Sequence, residues 1–233
     1  MESRKVAKAK KMRFFNAVYG TSLFLCLILL MGGSVAMAKN EMIQLPEPVH
    51  KGTVSLEESI QKRRSQRAFT DKELNLGQIS QLLWSAQGIT GGKSFRAAPS
   101  AGALYPIEIY LATKEGLFHY IPDGHALEVI SRKDMRVELA LAAFGQGCVE
   151  KAAADIIICA KYSRVMAKYG GRGEQYVHIE VGHAAQNVHL QVVALGLGSV
   201  PVGAFDDEAV KKVCSMPKEC EPLYIIPVGH TAR

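Results

Sequence analysis

The sequence predicts a leader segment followed by one α+β domain. Helical and strand-like patterns are mixed without the regular alternation that a doubly wound sheet requires. The longest helical pattern, residues 174–197, is apolar around most of its surface, which places it inside a domain or against a second subunit. Without the first 38 of the 233 residues, 195 remain, enough for a single domain with a sizeable core.

Residues 1–38 have the pattern of a secretory signal that is cleaved on export. Six lysines and arginines come first, the uncharged stretch TSLFLCLILLM follows, and Ala36, Met37 and Ala38 form a small-residue cleavage site. The alternative is an uncleaved membrane anchor, although the apolar stretch is short for a span of about 20 residues. With neither a twin-arginine pair nor a lipobox cysteine, we expect the general secretory route and a periplasmic protein.

The leader also carries the excess positive charge. It holds six of the 28 basic residues and one of the 22 acidic residues, which leaves 22 basic against 21 acidic residues from Lys39 onward. A mature protein so close to neutral gives no support to nucleic-acid binding.

Four cysteines follow the leader, an even number that permits disulfides in an exported protein. Cys214 and Cys220 are close in sequence and are the favoured pair, whereas Cys159 lies in an apolar run and is interpreted as a core residue. The spacings match no zinc module, so no metal site is expected.

Residues 39–54 form an extended lead-in, and the domain proper is residues 55–233. Ser55 followed by Glu58 is a capping box that begins a short amphipathic helix. Its apolar stripe, which should pack against a neighbour, consists of Leu56 and Ile60.

That helix leads into the basic cluster KRRSQRAF, residues 62–69. Three guanidinium groups with a hydroxyl between them suit a phosphate dianion, through bidentate and charge-assisted hydrogen bonds. These groups belong to Arg63, Arg64, Ser65 and Arg67. The alternative is that cations at a helix end only complement the helix dipole. The spacing alone leaves both interpretations open.

Asn75 and Gln78 begin a second one-sided helix, which Gly88 ends. Residues 89–106 are rich in glycine, serine and proline, and form either a functional loop or a surface connection. Strands are predicted at 107–113, in a hairpin over 116–130, at 155–161 and at 222–230, and helices at 133–144, 163–169 and 206–214.

The long helix carries three histidines, His178, His183 and His189. They lack the i, i+4 spacing of a helical metal pair, so we interpret them as interior histidines with satisfied hydrogen bonds. Residues 199–205, SVPVGAF, then form a glycine-containing turn.

Four motifs together resemble the FMN-dependent nitroreductase family and, more closely, its SagB-type dehydrogenase branch. They are RRSQRAF at 63–69, PSAGALYP at 99–106, KYGGRGEQYVHIEVGHAAQNVHLQVVALGLGSVPVGAF at 168–205 and PLYIIPVGH at 222–230. They occur in family order and cover nearly all of the mature chain. The resemblance implies a nitroreductase-like fold, with a central mixed or antiparallel sheet flanked by helices, and a homodimer with FMN at the subunit interface.

The resemblance also implies roles for the arginine cluster. Arg63 and Ser65 would contact the flavin phosphate, and Arg64 the phosphate or the ribityl chain. Arg67 would lie at the N1/O2 edge, where a cation stabilises the anionic reduced flavin. Arg233 alone follows the final strand closely enough to complete the phosphate site.

Two further segments resemble flavin contacts. The loop residues Pro99, Ser100, Ala101 and Gly102 would reach the flavin of the partner subunit. In the turn that begins at Pro201, the backbone amides of Gly203 and Ala204 would meet the flavin near N5, and Gly203 allows a close approach. Common nitroreductases carry Asn and Gln where this chain has Ala103 or Leu104 and Tyr105, a departure that fits the SagB-type branch.

The implied activity is ping-pong hydride transfer through flavin N5 to or from a small-molecule or peptide substrate. The protein mainly supplies binding and electrostatics, and Tyr105 and Tyr176 are the candidate proton donors. Since NAD(P)H is not expected outside the cytoplasm, the exported enzyme needs another reductant, or it acts as a dehydrogenase with oxygen or a quinone as acceptor. The SagB-type resemblance suggests oxidation of a peptide azoline.

Two other interpretations stay open. One is a non-catalytic periplasmic protein that keeps the fold as a flavin-binding or scaffold module. The other is a cytoplasmic nitroreductase whose N-terminus is an artefactual extension.

Overall fold

A computed structural model describes residues 41–92 and 95–231. The predicted signal, the first two residues of the lead-in and Arg233 lie outside the described residues. The strands are β1 (Met42–Gln44), β2 (Ile89–Gly91), β3 (Phe95–Arg96), β4 (Ile107–Thr113), β5 (Gly116–Ile121), β6 (Ala126–Ser131), β7 (Ala154–Ala160), β8 (Gly198–Ser199) and β9 (Glu221–Gly229). The helices are α1 (Leu56–Lys62), α2 (Leu76–Gln87), α3 (Arg136–Ala142), α4 (Gly147–Glu150), α5 (Ser163–Tyr169), α6 (Arg172–Ala194) and α7 (Asp207–Val213).

Seven strands form one antiparallel sheet in the order β1-β6-β5-β4-β7-β9-β8, and β2 pairs with β3 in a separate ribbon. Side chains alternate across a strand, so β4 sends Ile109 into one core and Tyr110 into the other. The first core includes residues of α2, α5 and α6, and the second includes residues of α3, α4 and α7. The predicted α+β class, with helices flanking a central sheet, is confirmed.

Both predicted helix starts are confirmed. The Ser55 hydroxyl accepts from the backbone N–H of Glu58 at 3.1 Å, and Asn75 and Gln78 form a reciprocal capping box. Gly88 ends α2 with an extended backbone. A Cβ there would lie 2.2 Å from Cδ1 of Trp84, so this position has room only for glycine.

The predicted helix over 133–144 is shorter than expected, and α4 was not predicted. Phe144 and Gly145 have φ values of 57° and 74°, which end the helical run. The region 89–106 contains the β2–β3 ribbon and a 3₁₀ turn at Ala101–Ala103, so it is less irregular than predicted.

The apolar stripe of α1 does not pack within the chain. Leu56 and Ile60 are 60% and 56% exposed, and Ser59 is the buried residue of this helix. The expectation that this stripe finds a neighbour is therefore wrong for the single chain. Its apolar face lies open.

The long helix α6 is buried on one face only. Val177, Val181 and Val188 lie in the core, whereas Ile179 is 46% exposed and Gly182 has no atom within 4 Å of where a Cβ would lie. The prediction of interior histidines with satisfied hydrogen bonds is correct for the burial of His189 but not for its Nε2, which has no partner in the described chain, and it is wrong for two others. His178 and His183 lie on the open face, because the helical pattern does not show which face meets a neighbour.

The expected disulfide between Cys214 and Cys220 is not formed. Cys148, Cys159, Cys214 and Cys220 are all free and buried, and Cys220 lies near the Cys159 thiol, whose pKa it helps to raise. Burial raises the pKa of the Cys214 thiol to about 12 and the pKa of Cys159 well above its usual value. These groups are core thiols.

Within the described ranges, no helix has the length and apolarity needed to cross a membrane.

Candidate functional site

The arginine segment runs along the edge of the sheet. The backbone N–H of Gln66 donates to Ser199 O at 2.9 Å, and that of Thr70 donates to His230 O at 2.8 Å. Two glycines leave room for this approach. A Cβ on Gly198 would lie 2.9 Å from Cβ of Gln66, and a Cβ on Gly229 would lie 2.9 Å from Cδ1 of Phe69.

The cations of this segment have few partners. Arg64 Nη1 donates to the carbonyls of Gln61 and Arg63, at 3.0 and 2.7 Å. Over residues 41–92 and 95–231, the guanidinium groups of Arg63 and Arg67 make no hydrogen bond or ion pair, and Arg67 and Ser65 are exposed. Cations beside an exposed hydroxyl and without carboxylates form a site suited to an anion.

The turn that follows β8 lies at the same edge. Val202 is fixed by two backbone hydrogen bonds with Ile225, of 2.8 and 3.0 Å, and Pro201 before it is half-buried. Gly203 and Ala204 are exposed, and their N–H groups donate to no acceptor in the described part of the chain. A pair of free backbone donors therefore lies beside the arginine segment.

Gln146 closes this edge from the other side, a role that the sequence analysis missed. Its Nε2 donates to Ala204 O at 2.9 Å, and it directly precedes α4. The charge of Arg67 acts on the neighbouring Cys148 thiol, where it opposes the rise in pKa caused by burial. Arg67 and Gln146 thus belong to one neighbourhood, and no local sequence signal indicates this.

His189 of α6 lies beneath the arginine segment. Its Nδ1 is 2.8 Å from the Ser199 hydroxyl, and its buried Nε2 has no partner in the described part of the chain. Burial lowers the pKa of His189 to about 4, and the nearby charge of Arg63 adds to this effect. The ring is therefore neutral at physiological pH.

The predicted loop Pro99–Gly102 is held on α6. Asn187 Nδ2 donates to Ala97 O at 3.1 Å, and the Ser100 hydroxyl accepts from the backbone N–H of Tyr105 at 2.9 Å. Tyr105 and Ala103, two residues before it, have φ values of 46° and 54°, in the left-handed region that is costly for both residues. Such strain is typical of functional loops. Ala101 is half-buried, and Pro99 and Gly102 are exposed.

Gly102 is confined by the residues that begin the KYGG motif. A Cβ there would lie 2.7 Å from Oη of Tyr169 and 2.9 Å from Nζ of Lys168. The Tyr169 hydroxyl and the Lys168 ammonium group therefore both lie next to the loop. Neither residue was predicted to have a role, although both stand at the start of a motif that carries the family resemblance.

The two candidate proton donors lie on this side of the molecule. The guanidinium of Arg96 lies 4.8 Å from the centre of the Tyr105 ring, and the Tyr169 and Tyr176 rings meet edge to face at 5.2 Å. The loop and the tyrosines form one group, and the arginines, the turn and Gln146 form another.

The two groups do not meet within the described chain, where no hydrogen bond or ion pair joins the loop to the arginine segment. Glu180, next to the loop, and His189, beneath the arginines, are nine residues apart on α6, or about 13 Å at 1.5 Å per residue. One chain therefore presents two separate groups of candidate residues. Arg233 lies outside the described residues, so its predicted role stays a prediction.

Comparison with known proteins agrees with this fold. The model of the nitroreductase family matches residues 60–230. A protein of Methanocaldococcus jannaschii, provisionally named a nitroreductase, is 42% identical over 193 residues, which are 80% of this chain and 95% of that protein. The microcin B17-processing protein McbC of Escherichia coli is 27% identical over 161 residues, covering 64% of this chain and 59% of that protein.

A solved structure shows the same fold. The crystal structure of a provisionally named nitroreductase from Ralstonia eutropha superposes with a TM-score of 0.75 at 29% identity, over 85% of this chain and 93% of that chain. The nitroreductase-like fold predicted from the motifs is confirmed.

We predict that His189 makes the fold acid-sensitive. Its pKa is lowered in the folded state, so its stabilising contribution is complete above its usual value of 6.5 and is lost as the pH falls towards 4. When the pH falls from 7 to 5, the unfolding free energy of the wild type should decrease by about 2 kcal/mol more than that of His189→Gln. Urea denaturation at the two pH values measures this difference. His183→Gln, on the open face, is the control. A loss in His189→Gln as large as in the wild type would contradict the prediction.

Proposed function

The chain belongs to the nitroreductase family of oxidoreductases, and we propose that it is an exported, FMN-dependent enzyme of the SagB-type branch that acts as a homodimer. The observation that carries the flavin proposal is the edge where two guanidinium groups lacking carboxylate partners, Arg63 and Arg67, lie beside two free backbone N–H groups, Gly203 and Ala204. A phosphate at one end and an acceptor atom of a ring at the other would satisfy both sets of donors.

The residues present fit FMN. A Cβ on Gly203 would lie 3.7 Å from Tyr224, an ordinary contact, so the packing of the chain itself does not require glycine there. A planar ligand against the turn gives a reason for it. When bound, the flavin would supply hydride transfer at N5 in a ping-pong cycle. Arg63 and Ser65 would hold the phosphate, and Arg67 would hold a positive charge beside the ring. Arg64 has a lesser role, because its guanidinium is bonded to backbone carbonyls.

The homodimer is supported by what the single chain leaves open. The loop Pro99–Gly102 and the arginine segment form separate groups that no hydrogen bond or ion pair joins in the described chain, as expected if a flavin contacts the loop of one subunit and the arginines of the other. Apolar side chains are also exposed on α1 and α6, namely Leu56, Ile60 and Ile179. A second copy would cover them and add the loop to the site.

The substrate side of the proposal rests on the loop group. Tyr105 and Tyr176 stand there with Tyr169, and they would face the partner's flavin as proton donors. The similarity to a microcin-processing protein favours a peptide substrate, such as an azoline that is oxidised to an azole. An exported enzyme would use a reductant other than NAD(P)H, or pass electrons to oxygen or a quinone.

The flavin site is tested by binding. The protein purified from its host should show flavin absorbance, and Arg63→Ala and Arg67→Ala should each weaken FMN binding about 10- to 100-fold, because each removes a charge-assisted contact. Isothermal titration of the flavin-free protein measures the effect. Arg132→Ala, an exposed arginine paired with Glu41, is the matched control.

If neither variant changes the affinity, the site assignment is wrong. If FMN binds but no donor reduces it and no acceptor reoxidises it, the non-catalytic flavin-binding role replaces the enzymatic one.

The dimer is tested on the open face of α6. Gly182→Arg places a long charged side chain where the single chain has free space, so the monomer should fold normally while the dimer dissociates. Sedimentation velocity should show a dimer for the wild type and a monomer for Gly182→Arg, with FMN affinity reduced at least tenfold. Leu141→Arg, 69% exposed on α3 across the sheet, should remain dimeric. A monomeric wild type that binds FMN tightly would refute the shared site.

Export is tested on the protein as its host makes it. Intact mass and N-terminal sequencing of protein from the periplasmic fraction should give a chain that begins at Lys39. An intact chain from Met1 in the membrane fraction would indicate an anchor, and one in the cytoplasm would remove the export proposal.

A further inference from the structure

Glu180 is a buried carboxyl group beneath the loop. It lies on the core side of α6 with 2% of its surface exposed, and carboxylates are seldom buried to this degree without a purpose. Gln87 Nε2 of α2 lies 3.4 Å from its Oε1, and the nearby Ser100 hydroxyl favours its ionised form by lowering its pKa. The acid therefore lies against the loop that we place at the partner's flavin.

The surroundings of Glu180 are specialised for a carboxylate. Gln87, itself 1% exposed, turns its amide N–H towards Glu180 and leaves its own Oε1 without a partner in the described chain. An unsatisfied buried carbonyl costs folding free energy, so we infer that the hydrogen bond from Gln87 to Glu180 offsets this cost. Of the groups near Glu180, Gln87 of α2 and Ser100 of the loop do not ionise. Arg96 is the charged group whose electrostatic field acts on Glu180.

Ser100 and Arg96 connect the surroundings of Glu180 to Tyr105, just after the loop. The Ser100 oxygen accepts from the backbone N–H of Tyr105 at 2.9 Å, which leaves its own proton available to the nearby Glu180 carboxyl group. Arg96 lies over the Tyr105 ring and reaches Gln87 O at 3.4 Å. The conformation of Ala103 and Tyr105, with positive φ values, is thus held by a network that begins at Glu180.

We propose that Glu180 is a positioning residue, which fixes the loop Pro99–Gly102 in the conformation that receives the partner's flavin. The proposal rests on the proposed function, because the loop reaches a flavin only in the FMN-binding dimer. Glu180 acts through Ser100 and does not itself touch the cofactor.

The ionisation of Glu180 gives this role a pH dependence. Burial raises its pKa to about 7, while the bonds from Ser100 and Gln87 and the charge of Arg96 oppose that rise. Donors that lower a pKa bind the ionised form more strongly, so the loop is held more firmly above pH 7 than below it. FMN affinity should therefore increase as the pH rises through 7.

The test compares FMN affinity at pH 6 and pH 8 in three proteins. The wild type should bind FMN about fivefold more tightly at pH 8, the gain from a neutral to a charge-assisted hydrogen bond. Glu180→Gln, which keeps the shape and an acceptor for Ser100, should bind with less pH dependence, and Glu180→Ala should bind weakly at both values. Ionisation of the FMN phosphate affects all three alike and cancels in the comparison.

Asp155→Asn is the matched control. Asp155 is also fully buried with a raised pKa, but it lies among the second core on the other side of the sheet. Its replacement should leave the pH dependence of FMN affinity as in the wild type. An unchanged pH dependence in Glu180→Gln, or its loss in Asp155→Asn, would overturn the role of Glu180.

Amide exchange in the flavin-free protein separates this inference from the proposed function. The Tyr105 N–H should exchange about tenfold faster in Glu180→Ala than in the wild type, and Glu180→Gln should restore most of the protection. A wild type that binds no FMN at any pH defeats the proposed function. Equal exchange of Tyr105 in all three proteins defeats the positioning role, whatever the result with FMN.

Discussion

Two backbone hydrogen bonds, from Gln66 to Ser199 and from Thr70 to His230, hold the arginine segment against the edge of the sheet. The segment carries three cations within five positions, which repel one another and would spread apart on a free chain. Backbone bonds to a sheet edge do not depend on a ligand, so the cations are positioned before any anion arrives. Such preorganisation lowers the entropic cost of binding.

The helix α6 transmits that order to the rest of the site. His189 supports Ser199 and the arginine segment, whereas Asn187 and Glu180 hold the opposite loop. Residues on one rigid helix keep their spacing, so the two groups of candidate residues are set at a fixed separation. The open face of the same helix carries Ile179 and Gly182, where the homodimer that we propose would place its second subunit. One element thus determines both the geometry of each group and where a partner would lie.

Much of the fold was predictable because its signals are local. Helix starts at Ser55 and Asn75 and the strand at 107–113 depend on capping chemistry and on short-range alternation of apolar residues. The motif residues of the site were found through their resemblance to a family. Contacts between distant segments were not predictable, as Gln146 shows, because nothing near it in the sequence indicates that it bonds to Ala204.

Burial was the other limit. A helical pattern identifies apolar positions but not which neighbours cover them, so it could not separate the buried His189 from the exposed His178. The same limit applied to Leu56 and Ile60, which have the spacing of a packed stripe but are exposed in the single chain.

The buried thiols bear on the export that we propose, which would take the protein out of the reducing cytoplasm. Oxidation and disulfide exchange start from an accessible thiolate, and Cys159 and Cys214 are both sealed in the second core and held protonated by their raised pKa values. An oxidant therefore meets these sulfurs only in a molecule whose core has opened. A modified thiol would therefore indicate that the molecule had unfolded, because the packing of the core keeps oxidants away from these cysteines.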